Sequence, residues 1–356
     1  MKKIDIYLLL PVAFLTLFGL FMIYNASSFV AFSDFGDKYR YIRDQSFWAV
    51  LGFLSLAFFS IFDYHKLYNL SLPILILAII LLILVFVPGV GVYALGARRW
   101  INFKLFILQP AEFVKLALAI YLAAWFSNKE KGRLLAFLLL LGLVLGLVML
   151  EPDLGTSSII LSEALAVYFL SGANILQFAL IAPLIAIIGF LFIKLEPYRA
   201  QRFLTFLNFN DSPQTFSYHV RQILIALGSG GLTGVGIGNS LQKYAYLPES
   251  TTDSIFAIIA EELGFVGASL IILLFVVIVF RGFTIAINAR DSFGKLLAGA
   301  ITTYLAVQAL INLSAQTALL PLTGVPLPFI SYGGSALIVA LSSVGILLNI
   351  SKQGKV

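Results

Sequence analysis

Repeated runs of about 18 or more apolar residues occur along most of this chain, and a run of that length forms an α-helix that crosses a hydrocarbon core about 30 Å thick. Of the 356 residues, 60% are apolar and 11% are charged, whereas an ordinary soluble domain is about 25% charged. Segments of about ten residues with alternating polarity, which are typical of a membrane β-barrel, do not occur. The sequence therefore predicts an all-α polytopic membrane protein.

The apolar runs predict about ten transmembrane helices in a single membrane domain over residues 1–356. Their ranges are 6–25, 46–62, 71–88, 110–127, 134–150, 155–171, 175–194, 254–280, 296–320 and 332–350. An even number of spans places both termini on the same side. That side has basic residues in short segments, so the positive-inside rule identifies it as the cytoplasm. These residues are Lys2, Lys3, Lys66, Lys129, Lys131, Arg133, Arg281, Arg290, Lys295, Lys352 and Lys355.

A large extracytoplasmic loop is predicted between spans 7 and 8, over residues 195–253. Its apolar stretch 220–227 is too short to span a bilayer and predicts a re-entrant or interfacial helix. The chain has no cysteine, which excludes disulfides, thiolate catalysis and cysteine-ligated metals. The net charge of +6 is scattered rather than gathered on one face. It therefore indicates contact with membrane lipids and no nucleic-acid partner.

The candidate phosphate-binding residues on the predicted outer side lie in two segments. Arg98 and Arg99 precede Trp100 between spans 3 and 4, and Arg221 and Lys243 lie in the large loop. Adjacent guanidinium groups match the geometry of phosphate oxygens, and the glycine-rich run before Lys243 has backbone amides that can bind an anion. A tryptophan at this position is also a common membrane anchor, and a glycine-rich backbone also packs against helix ends. Phosphate binding and a structural role both stay open.

Four carboxylates lie at or near the predicted outer ends of spans. Glu151 and Asp153 flank Pro152 in a tight turn between spans 5 and 6, and Glu249 and Asp253 precede span 8. The turn could bind a cation, act as acid and base, or use Asp153 to cap the next helix. Asp253 lies at the water–lipid boundary, where it could serve as a general base or as a helix cap.

Other ionisable residues lie inside the predicted spans. Glu112 and Lys115 are three residues apart, which places them on one helical face, where they can pair. Glu261 and Glu262 lie about two turns inside span 8. Ionisable residues in a bilayer usually face each other or a polar pathway. A structural ion pair and a functional pathway therefore both fit Glu112 and Lys115.

The segment after span 9 has three prolines, Pro321, Pro326 and Pro328, within eight residues. This density of proline requires an ordered, non-helical segment. Ser331 and Tyr332 follow the prolines directly. These two residues could line a substrate groove or pack locally.

Four motifs occur in order on this pattern of spans. They are Glu151-Pro152-Asp153-Leu154-Gly155-Thr156, Tyr246-Leu247-Pro248-Glu249, Ala260-Glu261-Glu262-Leu263-Gly264 and Pro328-Phe329-Ile330-Ser331-Tyr332-Gly333-Gly334-Ser335. Together they resemble the SEDS family of cell-wall synthases, which includes the FtsW, RodA and SpoVE types, over essentially the whole chain. Residues 238–249 are more similar to the division-type FtsW and residues 320–328 to the elongation-type RodA. We take the chain as more FtsW-like.

The resemblance implies a bacterial cytoplasmic-membrane glycosyltransferase that polymerises lipid II into undecaprenyl-linked glycan at the outer face. It also implies a class B penicillin-binding protein as partner. The family's essential loop aspartate corresponds to Asp253, although Thr251-Thr252-Asp253-Ser254 stands where the family usually has His-Thr-Asp-Phe. A divalent cation is possible, and no other cofactor is expected. The expected substrate-binding residues are Arg98, Arg99, Trp100, Glu112, Lys115, Glu151, Asp153, Arg221, Lys243, Glu249, Ser331 and Tyr332.

Two other functions remain open at the level of the sequence. A lipid II flippase would need a polar path through the bilayer, for which the buried ionisable residues are the available groups. A non-catalytic scaffold for a penicillin-binding protein would need none of them. Polymerisation and translocation assays with purified protein distinguish these alternatives.

Overall fold

The computed structural model describes residues 4–94, 97–104, 106–128, 133–195, 215–244 and 247–354, and these ranges form eleven helices and three short strands. The helices are α1 (Ile6–Phe35), α2 (Arg40–Ile61), α3 (His65–Leu84), α4 (Pro110–Ser127), α5 (Leu134–Leu150), α6 (Leu154–Leu170), α7 (Ile175–Leu195), α8 (Thr215–Gly230), α9 (Ile255–Ile287), α10 (Ser292–Gln316) and α11 (Gly334–Gln353). The strands are β1 (Gly91–Ala94), β2 (Ala97–Asn102) and β3 (Ile107–Leu108). Loop residues 196–214, Tyr246 of the second motif, and the basic residues Lys2, Lys3, Lys129, Lys131 and Lys355 lie outside the described residues.

Each of the ten predicted spans coincides with a helix, which confirms the all-α polytopic fold. Seven of the described helices are long and apolar enough to cross a membrane, and α5, α6 and α7 provide shorter apolar stretches. The additional helix, α8, includes the apolar stretch 220–227 of the large loop. The assignment of residues 1–356 to a single domain stays a prediction.

Helix ends are set by caps rather than by the thickness of the bilayer. The first span was expected to end at residue 25, but α1 has 30 residues and continues to Phe35. It ends where Gly36 adopts a left-handed conformation with φ of 69°, as is common after a helix. Conversely, α10 ends at Gln316 rather than at residue 320, because Ala318 has a φ of 55° that a helix cannot continue through.

A three-stranded antiparallel sheet lies between α3 and α4, and the sequence pattern does not predict it. Trp100 on β2 pairs with Val92 on β1, and Ile101 pairs with Leu108 on β3. The strands have four, six and two residues, which is too short for a clear alternation of polarity. The sheet leads directly into α4, whose first residue, Pro110, suits the first turn of a helix.

The helices α4, α10 and α11 form the interior of the bundle, whereas α2, α3 and α9 expose more of their surface. Among the described elements, α4 packs against α3, α6 and α10, and α10 also packs against α9. Small residues allow α2 and α11 to approach closely. A Cβ on Gly345 would lie 2.5 Å from the carbonyl oxygen of Leu56, and the hydroxyls of Ser55 and Ser342 are 2.6 Å apart.

The helix α9 is interrupted at Gly264, which has φ of 68° and ψ of −168°. A Cβ at this position would lie 2.3 Å from the backbone nitrogen of Gly234. The glycine-rich run that follows α8 therefore packs against the break in α9. The amides of Val235 and Gly236 donate to the carbonyl oxygens of Glu261 and Glu262, each at 3.0 Å.

Candidate active site

Asp253 lies in a tight turn that precedes α9, which we call the Asp253 turn (residues 249–254). The carbonyl oxygen of Glu249 accepts hydrogen bonds from the amides of Thr252 at 3.2 Å and Ser254 at 3.1 Å. The N-cap residue of α9 is Ser254 rather than Asp253. The Asp253 side chain is partly exposed, and a Cβ on Gly324 would lie 3.4 Å from its Oδ2. The carboxylate is therefore adjacent to the loop that follows α10.

That loop, residues 321–333, is hydrogen-bonded to the Asp253 turn, and we call it the proline loop. The Ser331 hydroxyl donates to the Thr252 carbonyl at 2.6 Å and accepts from a backbone amide of its own loop at 2.8 Å. The amide of Tyr332 donates to the Thr251 carbonyl at 2.9 Å. Ser331 therefore fixes the two segments to each other, and its predicted contact with substrate stays a prediction.

Aromatic and polar side chains surround this junction. The ring of Tyr332 meets that of Tyr41 edge-on, with centroids 5.2 Å apart. The Glu249 side chain is exposed, and its carboxylate accepts from the Thr252 hydroxyl at 2.8 Å. Glu249 is thus an exposed member of the Asp253 turn, and Tyr332 lies in the segment that is hydrogen-bonded to this turn.

The helix α8 contacts the N-terminal end of α9. His219, which the sequence analysis does not single out, has its Nε2 2.8 Å from the hydroxyl of Ser254. Arg221 lies two residues further along α8 and is exposed. This helix therefore also contains one of the predicted phosphate-binding cations, about 200° around the helix axis from His219.

The strand β2 carries Arg98, Arg99 and Trp100 on three consecutive positions. Val92 of β1 pairs with Trp100 and Tyr93 pairs with Arg98, so Arg99 is an extra residue at an irregularity of the strand pairing. Arg99 is partly buried, and it donates to the carbonyl oxygens of Glu151 at 2.9 Å and Pro152 at 2.6 Å. Arg98 is exposed and Trp100 is partly buried. Arg98 is the better placed of the two arginines for an external anion.

The turn between α5 and α6, residues 151–153, combines a helix cap with a buried acid. Asp153 caps α6 by accepting from the amide of Thr156 at 2.9 Å and from its hydroxyl at 2.8 Å, which is one of the three roles that the sequence leaves open. Glu151 is 0% exposed, and neither carboxylate oxygen has a hydrogen-bond partner among the described residues. Burial and, to a smaller extent, the Asp153 carboxylate together raise the pKa of Glu151 to about 9, against the opposing effect of Arg99.

Glu151→Gln is expected to remove a pH dependence of stability. Because the pKa of Glu151 is higher in the folded chain than its usual 4.5, the folded state binds more protons than the unfolded state between about pH 4.5 and 9. The parent therefore loses stability as pH rises through this window, by at most about 1.4 kcal/mol per pH unit. Glutamine cannot ionise. Thermal unfolding of detergent-solubilised protein should show similar melting temperatures near pH 4.5 and a more stable variant near pH 9, whereas parallel curves would contradict this assignment.

The first turn of α6, which follows the acidic turn (residues 151–153), and the Asp253 turn both lie against the proline loop. A Cβ on Gly155 would lie 2.2 Å from the side chain of Val325 and 3.2 Å from the Thr323 carbonyl. Gly324, which lies between Thr323 and Val325 in the chain, is the residue adjacent to the Asp253 carboxylate. Arg99, the acidic turn, the proline loop and Asp253 therefore form one continuous region.

Glu112 and Lys115 form a buried ion pair in α4. Lys115 is 0% and Glu112 is 3% exposed, and their charged atoms are 2.8 Å apart. The Lys115 ammonium also donates to Gln308 Oε1 at 2.7 Å. Nearby in the bundle, Glu163 of α6 is 0% exposed and has no hydrogen-bond partner among the described residues. The structure thus shows the predicted pair, and binding of substrate by either residue stays a prediction.

Lys243 belongs to a buried network at the break in α9. Its ammonium lies 3.2 Å from Glu262 Oε1, 2.9 Å from Asn25 Oδ1 and 2.6 Å from the Gly238 carbonyl. Glu261 accepts from the Ser240 hydroxyl and from a backbone amide at 3.2 Å. The positive charge of Lys243 is balanced within the protein, which makes it a less suitable anion-binding group than the exposed Arg98.

The part of the chain that the structure describes contains no group of three or more His, Asp or Glu side chains that could hold a metal ion. A divalent cation stays a prediction, and we derive no chemical step through it.

Three buried amides of α10 contact the site and are missed by sequence reasoning. Gln308, Asn312 and Gln316 lie four residues apart, so they share one face of the helix. Asn312 donates to the carbonyl oxygen of Asp253 at 3.0 Å. The signal that could have found these residues is a regular row of amides in an otherwise apolar helix, since buried polar side chains require partners.

Comparisons with known proteins give consistent results over nearly the whole chain. The family model FtsW/RodA/SpoVE, described as "Cell cycle protein", matches residues 6–356. Stage V sporulation protein E of Bacillus subtilis (strain 168) is 39% identical, with 99% of this chain and 98% of that protein covered. The probable peptidoglycan glycosyltransferase FtsW of Geobacter metallireducens is 38% identical, with 99% of this chain and 96% of that protein covered.

Solved structures share the fold. A chain from a peptidoglycan synthase complex that coordinates polymerization and crosslinking superposes with a TM-score of 0.81 at 26% identity, covering 99% of this chain and 98% of that chain. The rod shape determining protein RodA of Thermus thermophilus superposes with a TM-score of 0.74 at 26% identity, with the same coverage. The resemblance seen in the four motifs is thereby confirmed, and the chain belongs to the FtsW/RodA/SpoVE family of polytopic membrane proteins.

Proposed function

We propose that this protein is a peptidoglycan glycosyltransferase that polymerises lipid II, with Asp253 as its catalytic base. The observation that carries the proposal is the partly exposed Asp253 carboxylate, fixed between the proline loop and the first turn of α9. A relative 38% identical over 99% of this chain is named as a probable peptidoglycan glycosyltransferase.

The chemistry requires a base for a sugar hydroxyl. As the hydroxyl oxygen attacks the anomeric carbon of the donor, its proton passes to the Asp253 carboxylate. The new bond forms from that oxygen to the anomeric carbon, while the bond from this carbon to the pyrophosphate oxygen breaks. A single displacement of this kind inverts the anomeric centre. One positioned carboxylate is therefore sufficient for the proton transfer.

The leaving pyrophosphate requires fixed positive charge, because charge develops on its oxygens as the bond breaks. Arg98 and Arg221 are the exposed candidates among the arginines. Arg99 has a different role, because its guanidinium group donates hydrogen bonds to two carbonyl oxygens of the acidic turn. We assign Arg98 and Arg221 to the pyrophosphate and Arg99 to the support of the site.

A lipid II flippase is less well supported by the contacts in the bundle. Glu112 is paired with Lys115, and Glu262 is paired with Lys243. Groups that are closed into buried pairs do not line an open polar path. Purified protein, with its partner synthase, should convert lipid II to glycan polymer. Translocation of a labelled lipid II in vesicles without polymer formation would contradict the proposal.

The proposed partner is a class B penicillin-binding protein, because a structural neighbour is a chain of a peptidoglycan synthase complex that coordinates polymerization and crosslinking. The proposed location is the bacterial cytoplasmic membrane, with both termini in the cytoplasm. The even number of spans and the short basic segments support this orientation.

The proposed orientation is tested by cysteine labelling, since the chain contains no cysteine. Asn102→Cys on β2 should react with an impermeant thiol reagent added outside the cell, because this exposed position lies on the outer side in the proposed orientation. Lys66→Cys, at an exposed position in the first turn of α3, should react only after the membrane is permeabilised. The reverse pattern would place Asp253 on the cytoplasmic side.

A further inference from the structure

The amides of α10 connect the buried ion pair to the Asp253 turn. Gln308, Asn312 and Gln316 are 3%, 2% and 1% exposed. A buried amide without partners is costly, so these side chains are held where their hydrogen bonds can form. Each of the three forms hydrogen bonds with at least one other segment, and these segments are α4, the proline loop, the Asp253 turn and the first turn of α9.

Asn312 is the central member of this row. Its Nδ2 donates to the carbonyl oxygens of Asp253 at 3.0 Å and of Val325 at 2.8 Å. Its Oδ1 accepts from Gln316 Nε2 at 2.6 Å. One side-chain amide thus bridges the Asp253 turn and the proline loop, and both of its hydrogens are used for this purpose.

The two flanking amides extend the connection in opposite directions. Gln316 Oε1 accepts from the amide of Ala257 at 2.8 Å, in the first turn of α9. Gln308 Nε2 donates to the Pro326 carbonyl at 2.9 Å, and its Oε1 accepts from Lys115 at 2.7 Å. The connection therefore runs from the ion pair of α4 to Pro326, through the backbone to Val325, and through Asn312 and Gln316 to the start of α9.

We propose that Asn312 is a positioning residue that acts on the reaction through Asp253, a role that rests on the proposed function. A fully satisfied polar network in a low-dielectric interior holds its members in one arrangement. A displacement of about 1 Å of a catalytic group can lower a rate about a hundredfold. The hydrogen bond from Asn312 sets the position of the Asp253 backbone. Asn312 is itself held by α10 and by its hydrogen bond with Gln316.

Asn312→Ala and Asn312→Asp test the hydrogen bonds directly. Aspartate retains the shape and the acceptor for Gln316, but it has at most one donor hydrogen and cannot bond to both carbonyl oxygens. Both variants should lower kcat for lipid II polymerisation by about 10- to 100-fold, with KM within about twofold of the parent. Thr303→Ala is the matched control on the same helix, because the Thr303 hydroxyl bonds only to the Gly299 carbonyl of α10 among the contacts described. Folded Asn312 variants with the parent kcat would overturn the proposal.

A double-mutant comparison separates positioning from a merely structural role. In an Asp253→Asn background the base is already absent, so Asn312→Ala should cause little further loss of the residual activity. If the activity of the double variant falls by the product of the two single-variant losses, Asn312 acts independently of Asp253. This result would overturn the proposal. If Asn312→Ala does not fold, Asn312→Ser takes its place, since serine retains one donor.

Hydrogen exchange provides a readout that does not depend on enzyme activity. Amides of residues 249–257 should exchange faster in Asn312→Ala than in the parent or in Thr303→Ala. Unchanged exchange in this segment would overturn the positioning role. If the parent itself fails to polymerise lipid II, the proposed function fails, and the exchange measurement still decides whether Asn312 holds the Asp253 turn.

Discussion

Asp253→Asn is expected to lower lipid II polymerisation by about a hundredfold or more, because general-base catalysis typically contributes about 10²–10⁴ to a rate. Asparagine preserves the size of the side chain and leaves the backbone carbonyl that accepts from Asn312. Folding and partner binding should therefore persist. Polymer formation by purified complex, followed over time at saturating lipid II, provides the measurement.

Asp37→Asn is the matched control for this variant. Asp37 lies between α1 and α2, and its carboxylate pairs with the exposed side chain of Arg43, so the same chemical change should leave polymerisation at the parent rate. Equal melting temperatures of the two variants would exclude a loss of folded protein. Near-parent polymerisation by Asp253→Asn would show that another group removes the proton.

Lys115→Met is expected to lower the free energy of unfolding by about 3–5 kcal/mol, because it leaves a buried carboxylate without its cation. Glu112 is 3% exposed and lies 2.8 Å from the Lys115 ammonium, so the charge that remains has no access to water. Gln308 loses its hydrogen-bond donor in the same variant. Reversible unfolding in mixed detergent micelles, monitored by circular dichroism, measures the change.

The double variant Glu112→Gln/Lys115→Met should recover most of the lost stability, since no unpaired charge remains at this position. Lys66→Met is a matched single-charge control at an exposed position and should change stability by less than about 0.5 kcal/mol. If the single variant is as stable as the parent, the buried pair contributes nothing to the stability of the bundle.

The spans were predictable because each must contain a run of apolar residues long enough to cross the bilayer. The predicted range 110–127 coincides with α4, whose proline marks its first turn. The short sheet was not predictable, because strands of two to six residues carry little pattern. The end of α1 was also missed, because Gly36 rather than loss of hydropathy ends the helix.

The site was predictable where its contacts are local in sequence. Glu112 and Lys115 pair at a spacing of three residues, and Asp153 caps the helix that it precedes. Contacts between distant segments were not predictable: Arg99 reaches a turn 52 residues away, and Asn312 reaches a carbonyl 59 residues away. No local sequence pattern specifies to which distant backbone oxygen a buried side chain will donate a hydrogen bond.

The close packing of α2 against α11 has a consequence for how the protein is made. Ser55 and Ser342, whose hydroxyls meet across these helices, are 287 residues apart in the chain. A chain is synthesised from its N-terminus at about 5–20 residues per second, so α2 enters the membrane well before its partner exists. Until then lipid tails must cover the face that contains Gly52 and its neighbours. Biogenesis of this fold therefore separates into early insertion and late assembly, and any factor that shields α2 must release it once α11 arrives.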